Sequence, residues 1–192
     1  MDTSKFSIAE NIELDINTLK NTVNFDEFVK TLQKNLIPTD EFEGFKIRPG
    51  FYLENGAVVI PGGVNFTIHS QSATSCKLLL FKPAMCEPYA VIPFPEYYRI
   101  GNVYSMIVLG LDIEEFEYAY SVDGPYIPER GLVFNSSKYL LDPYSKAIAG
   151  QSVWGTKTIC GNQYKSRVVS NDFDWGNSKR PLIPMKDLII YE

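Results

Sequence analysis

The chain has 192 residues, 45% of them hydrophobic, with 18 Lys plus Arg against 23 Asp plus Glu and a formal net charge of −5. That length and apolar content suit one globular core with an overhang, which at this size buries roughly 70% of its unfolded surface without a disulfide or metal. The mild acidity argues against nucleic acid or an anionic membrane as partner, and no run of 18 apolar residues offers a membrane span.

The first 47 residues read as a helical extension. Phe25, Phe28, Val29, Leu32 and Leu36 recur at helical spacing, with Asn24 as a cap, Glu27 three residues on and Pro38 as a stop. Ile8, Ile12, Ile16, Leu19 and Val23 fit a weaker helix before it. From about Pro49 the signals change to strands and turns. Gly62-Gly63 is a turn, after which Val64, Phe66 and Ile68 point inward and Asn65, Thr67 and His69 outward. Cys76 to Phe81 contains Leu78-Leu79-Leu80-Phe81, apolar enough to be buried on both faces. Pro83 to Tyr98, rich in Pro and Tyr, is an irregular strand-and-loop stretch. Asn102 to Leu109 alternates again, and Gly110 and Asp112 end it.

The most informative stretch is Glu115 to Ile148. Phe116, Tyr118, Tyr120 and Val122 form an aromatic inner face, opposite Glu117, Ala119 and Ser121. Asp123-Gly124-Pro125 stops the strand, because Pro cannot donate to a central ladder. Residues 133–148 then form an apolar segment without clear period, which must pack on something. Turn signals near the 8–12-residue spacing of a sandwich complete the pattern.

Tyr118-Ala-Tyr120-Ser-Val122-Asp-Gly124-Pro125, then Phe134-Asn135 and Lys138-Tyr-Leu140-Leu141-Asp142-Pro143-Tyr144, resembles glycogen-debranching enzymes and isoamylases of the α-amylase superfamily. The resemblance runs from about Pro49 to the end. Ser136 stands where the family usually has Pro, and Ser121 where it often has Arg. It implies an all-β, immunoglobulin-like antiparallel β-sandwich over residues 48–149, a carbohydrate-binding-type module. A short N-terminal helical extension over 1–47 would precede it. Residues 150–192 would be an extended C-terminal tail, a linker whose closing Asp187-Leu-Ile-Ile-Tyr-Glu192 matches the first strand of a (β/α)8 barrel. On this reading the catalytic barrel is missing and the chain is inactive alone.

The implied parent reaction is retaining hydrolysis of α-1,6 branch links in glycogen or starch, of isoamylase or pullulanase type. Its two carboxylates, about 5–5.5 Å apart, would sit on the barrel. Glu114-Glu115 and Asp172-Asp174 are adjacent acids on turns, so no catalytic residue is assigned. His69 is the only histidine and faces outward, which leaves Ser-His-Asp and histidine metal sites without support. No cofactor or metal is expected. Related modules that bind glycogen place an aromatic directly after the Val-Asp-Gly-X turn, and Tyr126 occupies that position. They also carry a strand Lys, where this chain has Ala119, and an earlier loop aromatic, for which Tyr89, Tyr97 and Tyr98 are candidates. The expected partner is thus an α-glucan. Phe134, Leu140, Leu141, Pro143 and Trp154 are expected to dock on the barrel and, without it, to drive self-association.

Three cysteines, Cys76, Cys86 and Cys160, have no metal-ligand spacing and an odd count, so reduced cytoplasmic thiols are expected. MDTSKFSIAEN lacks the apolar run of a signal peptide. Two other classes stay open: a free-standing glycan-binding or regulatory module, and an immunoglobulin-like protein-interaction domain. The second expects paired cysteines around a core Trp, whereas Trp154 falls between Cys86 and Cys160 but beyond the expected sandwich.

Overall fold

The computed structural model describes residues 36–151, 153, 155, 160, 164–170, 174–179, 181–189 and 191. The helix expected over Asn24–Leu36 lies outside them except for Leu36, as does the weaker one before it. The strands are β1 (Asp40–Phe42), β2 (Phe45–Pro49), β3 (Gly56–Ile60), β4 (Gly63–His69), β5 (Ser75–Phe81), β6 (Ala90–Pro93) and β7 (Arg99–Ile100). They continue with β8 (Val103–Leu109), β9 (Glu117–Asp123), β10 (Tyr126–Ile127), β11 (Leu132–Val133), β12 (Ala147–Ala149) and β13 (Lys165–Arg167). One sheet runs β1-β2-β8-β4-β3, with β7 added on β8, and the other runs β12-β13-β9-β5-β6. Every pairing is antiparallel. Two such sheets packed face to face are the expected immunoglobulin-like sandwich.

The inner faces are set by period-two alternation. Phe116, Tyr118, Tyr120 and Val122 are buried between the sheets with Leu78, Leu80 and Ile92 of the same sheet. From the opposite sheet come Val64, Phe66, Ile68, Tyr104, Met106 and Val108. The rings meet edge to face: Phe66 and Tyr118 centroids are 5.2 Å apart at 69°, and Tyr118 and Tyr120 are 5.8 Å apart at 77°. Such geometry adds about 0.5–1.5 kcal/mol per pair beyond burial.

The strand set is wider than the sequence pattern suggested. The first sheet begins at Asp40, before the expected start at residue 48. Glu43 and Gly44, with φ of 49° and 85°, make the two-residue turn between β1 and β2. Such a turn needs positive φ at both positions and is usually marked by Asn-Gly or Asp-Gly, so Glu-Gly concealed it. At the other end Lys165–Arg167, expected in the tail, joins the second sheet through Ser166 opposite Tyr118. Of the closing residues, Met185–Asp187 form a 3-10 turn.

Outer faces differ from expectation as well. Asn65 and Thr67, expected outward, are buried. The Phe51 segment lies over them: its N–H donates to Asn65 Oδ1 at 2.8 Å, and Thr67 Oγ1 lies 2.6 Å from Ser105 Oγ. His69 is exposed.

Candidate functional site

Beyond Val122 the chain leaves the sheet, turns at Asp123-Gly124-Pro125 and forms the small β10–β11 hairpin. Its tip is a 3-10 turn at Pro128–Arg130, capped by Gly131 in the left-handed region. Tyr126 is directly opposite Val133, so both side chains leave the same face of the hairpin. Val133 lines a cleft of about 410 Å³ whose walls are the β4–β5 loop (Ser70, Gln71, Ser72) and the irregular segment that follows β11. Val122, Leu132, Phe134 and Leu140 supply its apolar floor, while Gln71, Asn135 and Lys138 bring polar groups. Tyr126, 70% exposed, is not itself part of the lining and neighbours it through the register pair with Val133. An accessible ring beside a mixed apolar and polar cleft is the surface a sugar requires: a flat apolar face for the pyranose and donors or acceptors for its hydroxyls.

Gly124 shapes the cleft. A Cβ there would fall 2.8 Å from the Phe134 ring and 2.9 Å from the Ser72 carbonyl oxygen, so only glycine admits both neighbours this closely. Phe134 is half-buried beneath this turn.

The segment 135–144 covers the outer face of the second sheet. Leu140 pairs with Tyr120 through two backbone hydrogen bonds of 2.8 and 2.9 Å. Tyr139 lies on Phe81, with centroids 5.5 Å apart, over a patch made by Leu79, Phe81 and Ala119. Ala119 is fully buried. The strand position where related glycogen-binding modules carry Lys is therefore both changed and covered. Ser121 Oγ donates to the Ser136 carbonyl at 2.7 Å. Asp142 is buried and accepts from Tyr118 Oη at 2.7 Å and from the Tyr144 N–H at 2.8 Å. Burial raises its carboxyl above the usual range, against the lowering effect of both hydrogen bonds. Burial, followed by the Asp142 carboxylate, pushes the Tyr118 hydroxyl well up.

The remaining sequence candidates do not gather around Tyr126. Tyr98 is fully buried, donates to Asp40 Oδ2 and cannot stack on a sugar. This corrects its candidacy; the irregular Pro-rich stretch hid the register that turns it inward. Tyr97 is exposed, but its hydroxyl donates to Asp40 Oδ1 at 2.7 Å. The two tyrosine hydroxyls hold the Asp40 carboxyl below its ordinary value. Tyr89 follows the far end of β5, where its N–H donates to the Leu80 carbonyl, and Lys82 Nζ lies 5.2 Å from its ring. Ser75 pairs with Asp123 and Phe81 with Glu117, so Tyr89 and Tyr126 sit at opposite ends of this ladder, roughly 20 Å apart at about 3.3 Å per residue. Leu140, Leu141 and Pro143 are exposed, while Trp154 lies outside the described residues. Gln71, Ser72 and Lys138 were not singled out as binding residues. Lys138 belonged to a recognised motif, but loop residues more than fifty positions away carried no signal.

The described residues contain no group of three metal-ligating side chains and no helix long and apolar enough to cross a membrane. Two of the cysteines are joined: Cys86 and Cys160, 74 residues apart, form a disulfide. This corrects the expectation of three reduced thiols. The free Cys76 is in the core, where burial pushes its thiol up to about 12.

Residues 54–145 match the family described as carbohydrate-binding module 48 (isoamylase N-terminal domain). The chloroplastic isoamylase SU1 of Zea mays is 32% identical over 146 residues, which is 71% of this chain and 18% of that protein. The glycogen debranching enzyme of Yersinia enterocolitica is 32% identical over 141 residues, 68% of this chain and 20% of that protein. Among solved structures, a pullulanase from Paenibacillus barengoltzii in complex with maltohexaose and α-cyclodextrin aligns with a TM-score of 0.45 and 16% identity. That alignment covers 64% of this chain and 15% of the other. The chain spans about a fifth of the length of the curated relatives it matches.

Proposed function

Residues 54–145 belong to the carbohydrate-binding module 48 family of isoamylase N-terminal domains, and we propose that they serve as the non-catalytic module of a glycosidase acting on α-1,6 branches of glycogen or starch. In this reading the module holds an α-glucan segment at Tyr126, with the adjacent cleft taking the sugar hydroxyls. The observation that supports it is the register of Tyr126, an exposed aromatic, opposite Val133, which belongs to the lining of a cleft with polar groups on two walls. Stacking of a pyranose on one ring, with a few hydrogen bonds, supports weak and adaptable binding. That suits a module whose task is to keep a branched polymer close to a catalytic domain. Tyr89 and Tyr97 contribute nothing to this site because neither faces the cleft.

The exposed strip Leu140, Leu141 and Pro143 favours a second role beside the first, support of a neighbouring catalytic domain by apolar contact. The two surfaces adjoin at Leu140, which lines the cleft and also belongs to the exposed strip.

Electrophoretic retardation of the purified chain in gels containing glycogen tests the glucan reading. The wild type should be slowed, Tyr126→Ala should migrate as in a glycogen-free gel, and Tyr89→Ala should behave as the wild type. Wild-type migration indifferent to glycogen would overturn it.

A further inference from the structure

The Cys86–Cys160 pair sits in a charged setting that the binding reading does not use. Cys86 lies in the loop between β5 and β6, and Cys160 precedes β13; both are partly accessible. Lys165 is buried, and its Nζ lies 3.7 Å from Cys160 Sγ, 3.9 Å from Glu117 Oε2 and 4.9 Å from the Phe81 ring centroid. Glu117 is also buried and accepts from the Ala84 N–H at 3.3 Å, so the same ion pair reaches the loop that carries Cys86. An ammonium kept out of water beside one sulfur of a disulfide makes the two sulfurs unequal. It stabilises a thiolate on its own side, and the better-stabilised thiolate leaves faster in exchange.

We propose that Cys86–Cys160 is a directional thiol–disulfide exchange site for a dithiol reductant, in which Cys86 is the attacked sulfur and Cys160 the leaving one. A reductant thiolate attacks Cys86 Sγ; the bond to Cys160 breaks and its electron pair stays on Cys160 Sγ, beside the Lys165 ammonium. The second thiol of the reductant, as thiolate, then displaces Cys86 from the mixed disulfide. The net change moves two electrons and two protons to the protein, giving two thiols and the reductant's disulfide. Oxidation by a disulfide of the same class runs the sequence backwards, with Cys160 as resolving thiolate. Reduction releases the β12–β13 pair, which otherwise meets β9 through the single register pair Ser166–Tyr118 and holds the Asp142 N–H on Ser166 Oγ at 3.0 Å. The site therefore lets the redox state of the surroundings set how firmly this edge is fastened. That accommodates both an oxidising compartment, where disulfides persist, and a reducing one, where they are transient.

The test treats the chain, oxidised with glutathione disulfide, with reduced glutathione, quenches with N-ethylmaleimide and maps the peptides. A Cys86–Cys160 linked peptide should be present before reduction. Afterwards glutathione should be found severalfold more often on Cys86, and maleimide on Cys160. Lys165→Met should slow reduction severalfold and even out the two adducts, whereas Lys165→Arg should keep the wild-type preference. Absence of the linked peptide, equal or reversed labelling in the wild type, or an unchanged Lys165→Met would each overturn the proposal. Should Lys165→Met fail to fold, the wild-type labelling pattern decides alone.

Discussion

The β5–β9 ladder is finished differently at its two ends. At the Ser75–Asp123 end the chain runs out into a tight turn and a two-residue-strand hairpin, leaving Tyr126 exposed and a cleft open beside it. At the Phe81–Glu117 end a disulfide, a buried ion pair and the Tyr139 ring on Phe81 close the structure. Between them the strands share one rigid core. The open end relies on local turn geometry; the closed end relies on partners distant in sequence. The proposed recognition residues fall where the scaffold stops and backbone direction changes, which is how rigid sheets usually carry function on their loops.

Breaking the closed end should have the largest effect. Reduction, or Cys160→Ser, opens a cross-link spanning 74 residues. In the chain-entropy account this lowers stability by about 4 kcal/mol. Urea unfolding should show that loss, while glycogen retardation, a property of the open end, stays as in the oxidised protein. A loss of retardation on reduction would mean that the two ends are not independent. Striking the shared core should weaken both ends together. Leu78 is fully buried between them, and Leu78→Ala should cost about 3 kcal/mol through lost burial and the cavity left behind. A stability loss of less than about 1 kcal/mol in urea unfolding would show that the core collapses onto the site.

The open end can be broken by itself. Gly124→Ala forces either the Phe134 ring or the Ser72 carbonyl to move. The expected stability cost is about 2 kcal/mol, as for other overpacked sites, and the cleft should change shape with it. Glycogen retardation should fall while the Cys86–Cys160 peptide remains intact. Full retardation in a folded Gly124→Ala would remove the cleft from the proposed site and leave Tyr126 alone.

The ladder's inner face was legible in the sequence, and its surroundings were not. Strict alternation from Phe116 to Val122 gave the correct buried side, because a strand has only two faces and aromatics choose one. The same alternation assigned Glu117, Ala119, Ser121, Asn65 and Thr67 to the outside, yet all five are buried. Period two reports which side a residue points to, and says nothing about what later covers that side. The covers here are Phe51 over one sheet and residues 135–144 over the other, both without regular period. The candidate site divides in the same way. Tyr126 became a candidate through the family resemblance, which places an aromatic directly after the Val-Asp-Gly-X turn. Gln71 and Ser72 arrive through the β4–β5 loop, and Cys160 through a segment expected to be tail; these are long-range meetings without a local trace. Tyr98 and Tyr97 are adjacent, yet one is buried and the other exposed, because the 3-10 turn at Glu96–Tyr98 rotates them apart.

The seam between the two ends gives the smallest predicted effect and the one with the clearest sign. Asp142 lies where Leu140 pairs with Tyr120 and Ser166 with Tyr118. Its carboxyl is raised in the folded chain by burial, so the folded state binds its proton more tightly than the unfolded state does. Stability then falls as pH rises from the ordinary carboxyl value through the raised one, and is level above it, since the unfolded state binds fewer protons across that window. Asn at this position keeps an acceptor for the Tyr144 N–H and a polar partner for Tyr118 Oη, but has no charge to bury. Asp142→Asn should therefore gain on the wild type between pH 4 and pH 7, measured as the difference in urea midpoints at the two pH values. A difference that stays constant, or moves the other way, would mean that the two hydrogen bonds outweigh burial at this seam. The carboxylate would then be a fastening between segment 135–144 and the sheet, and its loss should loosen the cover over Ala119.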